Sequence, residues 1–505
     1  MRIAPDTPLP PCHAPLSWGF DNSYQRLPER FYTRIAPTPV PAPRRLLLNQ
    51  PLAEELGLAT PCEQPEFTRM LAGNRLPHDA QPIAMAYAGH QFGQFVPSLG
   101  DGRAILLGEV IDRHGLRRDI QLKGSGRTPY SRQGDGRAWL GPVLREYLVS
   151  EAMHALGIPT TRALAAVATG APVFREEGAM PGAILTRVAA SHARVGTCEY
   201  FAHRGDWDGL RLLTGYLLAR HFPQSDDGKP AALALLEGVA ARQAALIARW
   251  MEAGFIHGVM NTDNMTISGE TIDYGPCAFL DEYDPTTVYS AIDPFGRYAF
   301  GNQPRIAAWN LARLADALLP LLDPDPKRAM TFAEGIIERF PEQFAAEWLG
   351  GMRRKLGLFT AQAGDEGLIT ELLNAMHANR ADYTLTMRGL CGASIEEQAD
   401  SGIAQRFADE TRYRSWAARW RARLRAEDTP AALRADTMRR VNPACIPRNH
   451  QVAAALDAAV IQDDLAPFRQ LLEVVQNPYD DLPAMARLAL PPTPSQRIRN
   501  TFCGT

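Results

Sequence analysis

Two periodicities divide the chain. Between residues 104 and 189, apolar side chains come in short runs or alternate with polar ones, the two-residue repeat of a strand with a buried face. Ala104–Ile111 is mainly apolar, Arg113-His114-Gly115 reads as a turn, and 116–123 alternates over its second half and closes on Lys123. These segments predict a hairpin. Segments 163–168 and 183–189 are strand-like as well. Segment 142–156 has helical spacing, with Pro142 in its first turn and Gly157 past its end. From about residue 205 the repeat lengthens to that of amphipathic helices, at 206–221, 231–254 and 305–322, then with short breaks to about 475. Earlier, 46–58 also carries helical spacing, with Leu47, Leu48, Leu52 and Leu56 on or near one face. Residues 276–304 predict a loop. Segment 412–425, strongly basic and carrying Trp416 and Trp420, predicts a solvated helix face.

This order predicts an α+β protein with an N-terminal extension packed on the core (1–80) and a small β-rich lobe (81–190). A larger α-helical lobe (191–476) and an extended tail (477–505) follow. Composition adds exclusions. With 505 residues, 46% hydrophobic and 22% charged, and a net charge of −3, the chain has neither a basic nucleic-acid tract nor a polybasic membrane anchor. No apolar run is long enough to span a bilayer, and the proline-rich start has no export signal. The expectation is a cytoplasmic protein with no membrane and no nucleic-acid partner. The seven cysteines, Cys12, Cys62, Cys198, Cys277, Cys391, Cys445 and Cys503, are scattered without a C-x-x-C pair, which argues against a zinc site. Cys503, near the chain end, is either an incidental surface thiol or a free thiol able to exchange.

The candidate chemistry lies in His257-Gly258-Val259-Met260-Asn261-Thr262-Asp263-Asn264 and in Ile272-Asp273-Tyr274-Gly275. Between them, 265–267 and 271–272 predict two short strands joined at Ser268-Gly269-Glu270, a hairpin that sets Asn264 beside Asp273. An amide oxygen and a carboxylate so placed are hard ligands suited to a Mg²⁺ ion that also holds nucleotide phosphates. This is the logic of a kinase catalytic loop and its metal-binding Asp. One position departs from it: two residues after the His, where a kinase keeps its base, stands Val259, and the acid is Asp263 instead.

Two Gly-Asp-Gly-Arg tetrads, Gly100-Asp101-Gly102-Arg103 with its glycines and Gly134-Asp135-Gly136-Arg137 with Asp135 and Gly136, flank the predicted hairpin. Glycines let a backbone approach phosphate, and arginines add bidentate contacts. Lys123 is a phosphate contact or a solvated strand end. Glu146, on the predicted 142–156 helix, is a partner for Lys123 or a plain helix acid. Arg187 and Arg194 are phosphate clamps or surface charges.

These residues resemble the selenoprotein O family, including bacterial relatives that carry cysteine in place of selenocysteine. The resemblance rests on Tyr87-Ala88-Gly89-His90-Gln91-Phe92-Gly93, on the first tetrad, and on Gln121-Leu122-Lys123-Gly124-Ser125-Gly126-Arg127-Thr128-Pro129-Tyr130-Ser131-Arg132. It continues through the second tetrad, both candidate catalytic segments, Asn442-Pro443, Ile446-Pro447-Arg448-Asn449-His450 and Asn477-Pro478-Tyr479. The resemblance implies a protein-kinase-like two-lobed fold and a protein adenylyltransferase, which binds ATP in a flipped orientation and transfers AMP to Ser, Thr or Tyr hydroxyls of proteins. It implies Asp263 as proton acceptor. Gly100, Gly102, Arg103, Lys123, Asp135, Gly136, Arg187, Arg194 and Asp273 would hold the nucleotide, and Asn264 and Asp273 would hold Mg²⁺ or Mn²⁺. UMP transfer from UTP, an ordinary phosphotransferase and a non-catalytic nucleotide-binding scaffold are the alternatives. A monomer is expected. The resemblance also implies a redox role for Cys503, with Cys277, four residues after Asp273, as the nearest candidate partner by sequence to the active site.

Overall fold

The computed structural model describes residues 16–58, 65–176, 178–224, 228–395 and 400–502. Its strands are β1 (Tyr32–Arg34), β2 (Arg44–Leu48), β3 (Ile83–Met85), β4 (Gly89–Gln91), β5 (Gln94–Val96), β6 (Ala104–Ile111), β7 (Arg117–Lys123), β8 (Ala138–Trp139), β9 (Arg162–Arg175), β10 (Gly178–Ala189), β11 (Phe255–Ile256) and β12 (Ala278–Phe279). Eight of them form one antiparallel sheet in the order β1-β3-β6-β7-β10-β9-β2, with β8 pairing on β10. β4–β5 and β11–β12 are separate two-stranded pairs.

The helices α1 (Gln50–Glu55), α2 (Pro65–Leu71) and α3 (Leu140–Ala155) pack on this sheet. A helical region follows: α4 (Val195–His203), α5 (Trp207–His221), α6 (Ala231–Ala253), α7 (Gln303–Leu322), α8 (Pro326–Lys355), α9 (Asp365–Asn379), α10 (Tyr383–Ala393), α11 (Asp400–Ala404), α12 (Glu410–Arg425) and α13 (Ala431–Arg439). The last pair, α14 (Asn449–Ile461) and α15 (Ala466–Val475), returns to the sheet. Val452, Phe468 and Leu471 join Leu144, Tyr147 and Leu148 of α3 in one core.

Alternation along the central strands decides what faces the site. Ile120 and Leu122 of β7, with Ile184 and Val188 of β10, enter the core under α1 and α2. Gln121, Lys123 and Arg187 therefore point to the opposite face, where Lys123 lies across from Leu185 in register. Gln121, Lys123 and Arg187 thus make a polar, charged patch on this face of the sheet.

Three sequence expectations change. Segment 46–58 is not one helix. Leu47 and Leu48 lie in β2 and pair with Ala166 and Ala165 of β9, and α1 begins only after Asn49, whose side chain caps it by accepting from the Leu52 amide. Run and helix together mimic helical spacing. The first 80 residues also supply two strands of the sheet itself, β1 and β2. Third, α12 is solvated on one face only: Trp416 and Trp420 are buried and stacked at 5.4 Å, while Arg412, Arg414 and Arg419 pair with Asp409, Glu410 and Glu371 on the outside.

Helix α6 has mean hydropathy 1.5, but 67% of its apolar window is buried inside the fold, so it is the central helix of the largest core. The tail turns once at Pro483–Ala489, and Thr501 then pairs with Ser290.

Candidate active site

Helix α6 ends at Gly254, which takes the left-handed conformation (φ 73°) that glycine adopts without strain. The chain then enters β11. Pairing of Phe255 with Phe279 and of Ile256 with Ala278 in β12 closes a loop over 257–277 at its base. His257 is an internal strut of that loop: it is buried, stacks on Trp250 and bonds through Nε2 to the Ile272 carbonyl (2.8 Å).

The predicted hairpin within this loop does not form as a ladder. Thr266 Oγ1 donates to the Glu270 carbonyl (2.7 Å) and accepts from its amide (2.9 Å), closing a tight turn. The two arms bond outward, Thr266 bridging to Arg194 and Thr271 to Thr160. The arms are too short to pair with each other once neighbouring chains offer partners.

Glu270 is mostly enclosed in this turn, its side chain 12% exposed, and desolvation pushes its carboxyl up to about 7. A raised acid makes ionisation a cost to the folded state. That cost is absent below the unfolded value of 4.5 and grows as pH rises to about 7. Glu270→Gln, which keeps an oxygen for the Ala190 amide and the Ser268 hydroxyl, should raise stability by roughly 1–3 kcal/mol at pH 8. Urea unfolding at pH 8 and at pH 4.5 measures this, and the gain should vanish at the lower pH.

A cleft of about 820 Å³ lies between the charged face of the sheet and this loop. Lys123 Nζ contacts Glu146 Oε2 and Asp273 Oδ1, both at 2.5 Å. Arg187, 2% exposed, reaches Asp273 Oδ1 at 2.8 Å and Glu146 Oε1 at 3.3 Å. Arg194, at the start of α4, lies 3.5 Å from Asp273 Oδ2, donates to the Asp263 carbonyl (2.9 Å) and rests on the Tyr87 ring at 4.5 Å. Burial alone would raise the Asp273 carboxyl, but Lys123, Arg187 and Arg194 together hold it well below the usual range. Asp273 takes φ 63°, a left-handed backbone uncommon outside glycine and costing of order 1 kcal/mol or more.

Across the cleft, Asp263 is 8% exposed. Gln91 Nε2 donates to its Oδ2 (3.1 Å), and its buried Oδ1 has no hydrogen-bond partner. Burial pushes this carboxyl up to about 6. Asn264 commits its amide nitrogen to the Val259 carbonyl (3.0 Å), leaving the amide oxygen as its ligand atom in the cleft it lines. Val259 lines the same cleft and carries nothing that takes a proton. The donors Asn264 and Asp273 are oxygen ligands that fit a hard cation. Among the described residues no three His, Cys, Asp or Glu side chains gather to hold one. A cation held by these two donors would complete its shell with water or substrate oxygens, as Mg²⁺ commonly does.

Both tetrads line the cleft. The amides of Gly100 and Gly102 are already bonded to the carbonyls of Tyr87 and Gly100, so these glycines shape the loop. A Cβ on Gly100 would lie 2.3 Å from the Tyr130 ring. Gly136 is constrained in the same way, its φ 67° and its place against the Gly126 carbonyl excluding a side chain. Asp135 sits at the exposed rim, paired with Arg175 at 2.9 Å. Arg103 faces the cleft.

Sequence reasoning passed over four residues that organise this site. Asp101 accepts from the Gln121 amide (3.2 Å) and lies 3.9 Å from Arg194. Gln121 in turn accepts from Arg187 (2.7 Å). Tyr87 and Gln91 support Arg194 and Asp263. Strand alternation puts Gln121 on the face of Lys123, so that signal was available; Asp101 stands inside the first tetrad and Tyr87 and Gln91 inside the Tyr87–Gly93 motif, but no spacing gave any of the three a role. Cys277 is buried, with its thiol pushed up to about 11 by that burial. Cys503 lies outside the described residues.

A family model described as "Protein adenylyltransferase SelO" matches residues 15–476. The chain is 60% identical over 487 residues to "Protein nucleotidyltransferase YdiU" of Rhodopseudomonas palustris (strain BisB5), covering 96% of this chain and 99% of that protein. It is 59% identical over 487 residues to the protein of that name from Bradyrhizobium diazoefficiens, covering 96% of this chain and 99% of that one. To the one from Rhizobium meliloti it is 57% identical over 489 residues, covering 97% and 100%.

Proposed function

Because the chain belongs to the protein adenylyltransferase SelO family and is a nucleotidyltransferase, we propose that it transfers AMP from ATP to Ser, Thr or Tyr hydroxyls of proteins. The sheet with α3 is read as the small lobe of a kinase-like fold and the helical region as its large lobe. ATP lies between them, reversed relative to a kinase, so that its α-phosphorus faces the acceptor.

One observation carries this reading: the carboxylate of Asp263, whose buried Oδ1 has no hydrogen-bond partner, lines the same cleft as the cations Lys123, Arg187 and Arg194, while Val259 holds the place of a kinase base. The acceptor oxygen bonds to the α-phosphorus, the bond from that phosphorus to the α,β-bridging oxygen breaks, and pyrophosphate leaves. The hydroxyl proton passes to Asp263. Lys123, Arg187 and Arg194, with Arg103 at the mouth, offset the charge on the departing β- and γ-phosphates. Glu146 and Gln121 hold Lys123 and Arg187 in place. Asn264 and Asp273 would hold Mg²⁺ or Mn²⁺, which when bound neutralises phosphate charge. The relatives' name leaves the base open, so UMP transfer from UTP is the second reading, resolved by competing the two nucleotides.

Product analysis tests the proposal. With divalent metal and a protein acceptor, pyrophosphate should appear in step with protein-bound nucleotide. ADP as the coproduct would mean phosphoryl transfer and would overturn the reading.

A further inference from the structure

The hairpin β4–β5 stands apart from the main sheet and is fastened to the segment that carries Asp263. The His90 amide donates to Thr262 Oγ1 (2.7 Å), and the Phe92 amide donates to Asn261 Oδ1 (2.9 Å). Glu199 of α4 grips both partners, contacting His90 Nδ1 and accepting from Thr262 Oγ1, each at 2.5 Å. A Cβ on Gly89 would lie 3.0 Å from Asp263 Oδ1, so this hairpin closes tightly over the acid. Gln91 alone among its side chains reaches the carboxylate.

The turn is also strained. Phe92 takes φ 52° and is followed by Gly93 at φ 85°. A bulky residue in the left-handed region persists only where its surroundings hold it. Here the bond to Asn261 and an edge contact with Tyr298 at 5.2 Å do so. The result is an aromatic ring, 36% exposed, that lines the cleft, as does Ile292.

We propose that this hairpin is the acceptor side of the site: Gln91 is a positioning residue that fixes the orientation of the Asp263 carboxylate toward the incoming hydroxyl, and Phe92 is the surface on which the acceptor chain rests. The proposal rests on Asp263 as the proton acceptor. A neutral amide suits the task, because it orients the carboxylate without supplying a competing charge. Glu199, Thr262 and His90 then form a latch that keeps hairpin and acid in register.

The test uses the full chain with ATP, Mn²⁺ and dephosphorylated casein as acceptor, and two variants. Gln91→Leu keeps the bulk and removes the donor. It should lower kcat by about 10–100-fold, with KM for ATP within about twofold of wild type. Phe92→Gly relieves the backbone strain, so it should fold at least as well. It should raise KM for casein by about tenfold and leave KM for ATP within about twofold of wild type. Wild-type kcat in the first variant, or wild-type KM for casein in the second, overturns the proposal while the adenylyltransferase reading stands. A rise in KM for ATP alone also overturns it, since that would place the hairpin on the nucleotide side. A wild-type protein that transfers no AMP removes both.

Discussion

Replacing Asp263 by Asn should slow nucleotide transfer by roughly 10²–10⁴-fold, the range a positioned general base supplies, without weakening the fold. The substitution preserves shape and the Gln91 contact, since an amide oxygen still accepts from Nε2. Arg194 bonds the main-chain carbonyl of Asp263, not its side chain, so the cationic wall stays in place. What disappears is the carboxylate proposed to take the proton. Stability separates this outcome from damage. Burial raises the Asp263 carboxyl from 3.8 to about 6, so its ionisation destabilises the folded protein increasingly as pH rises through that interval. At pH 7.5 the variant should therefore unfold at the same urea concentration as wild type or a higher one. Single-turnover transfer and urea titration at one pH give both answers, and undiminished transfer would remove Asp263 from the mechanism.

Asp273→Asn should cost more, and in two ways. Transfer should fall by about 10³-fold or more, because the proposed mechanism uses this one residue both as metal ligand and as counter-charge to the cations proposed to hold phosphate. Stability should fall too. The carboxylate lies among Lys123 at 2.5 Å, Arg187 at 2.8 Å and Arg194 at 3.5 Å, and the amide leaves these cations with less opposing charge. Losing one member of a buried ion cluster costs about 3–5 kcal/mol. The Asp273 side chain is 22% exposed to the cleft, so about 1–3 kcal/mol is the expected loss after solvent screening. Backbone strain is not the cause, because Asn tolerates φ 63° as Asp does. Nucleotide and Mn²⁺ should restore less of the lost stability than they add to wild type. An unchanged unfolding midpoint and unchanged Mn²⁺ response would show that Asp273 is not the centre of the cluster.

How much of this was legible before the structure depends on the range of the signal. Strand alternation over Ile120, Gln121, Leu122 and Lys123 is local, and it separates core from cleft correctly. The long helices from 207 on follow from their repeat, and the loop carrying Asp263 and Asp273 follows from its glycines. Competition between neighbours was not legible. Leu47 and Leu48 extend because β9 offers an edge, and the 265–272 arms bond outward because Arg194 and Thr160 are there. The apolar face of α12 was masked by its arginines, although Trp416 and Trp420 are among the largest buried side chains. Gln91 and Asp101 escaped for a different reason. Each acts through a partner far along the chain, Gln91 on Asp263 and Asp101 on Gln121, and no spacing rule links them.

The most direct measurement of the central claim is a pair of label-transfer reactions with divalent metal and a protein acceptor, one with ATP labelled at the α-phosphate and one at the γ-phosphate. The account predicts protein-bound label from the α position alone, with the γ label recovered in pyrophosphate. Protein-bound label from the γ position alone would contradict it, and would mean that the nucleotide lies in the kinase orientation despite Val259.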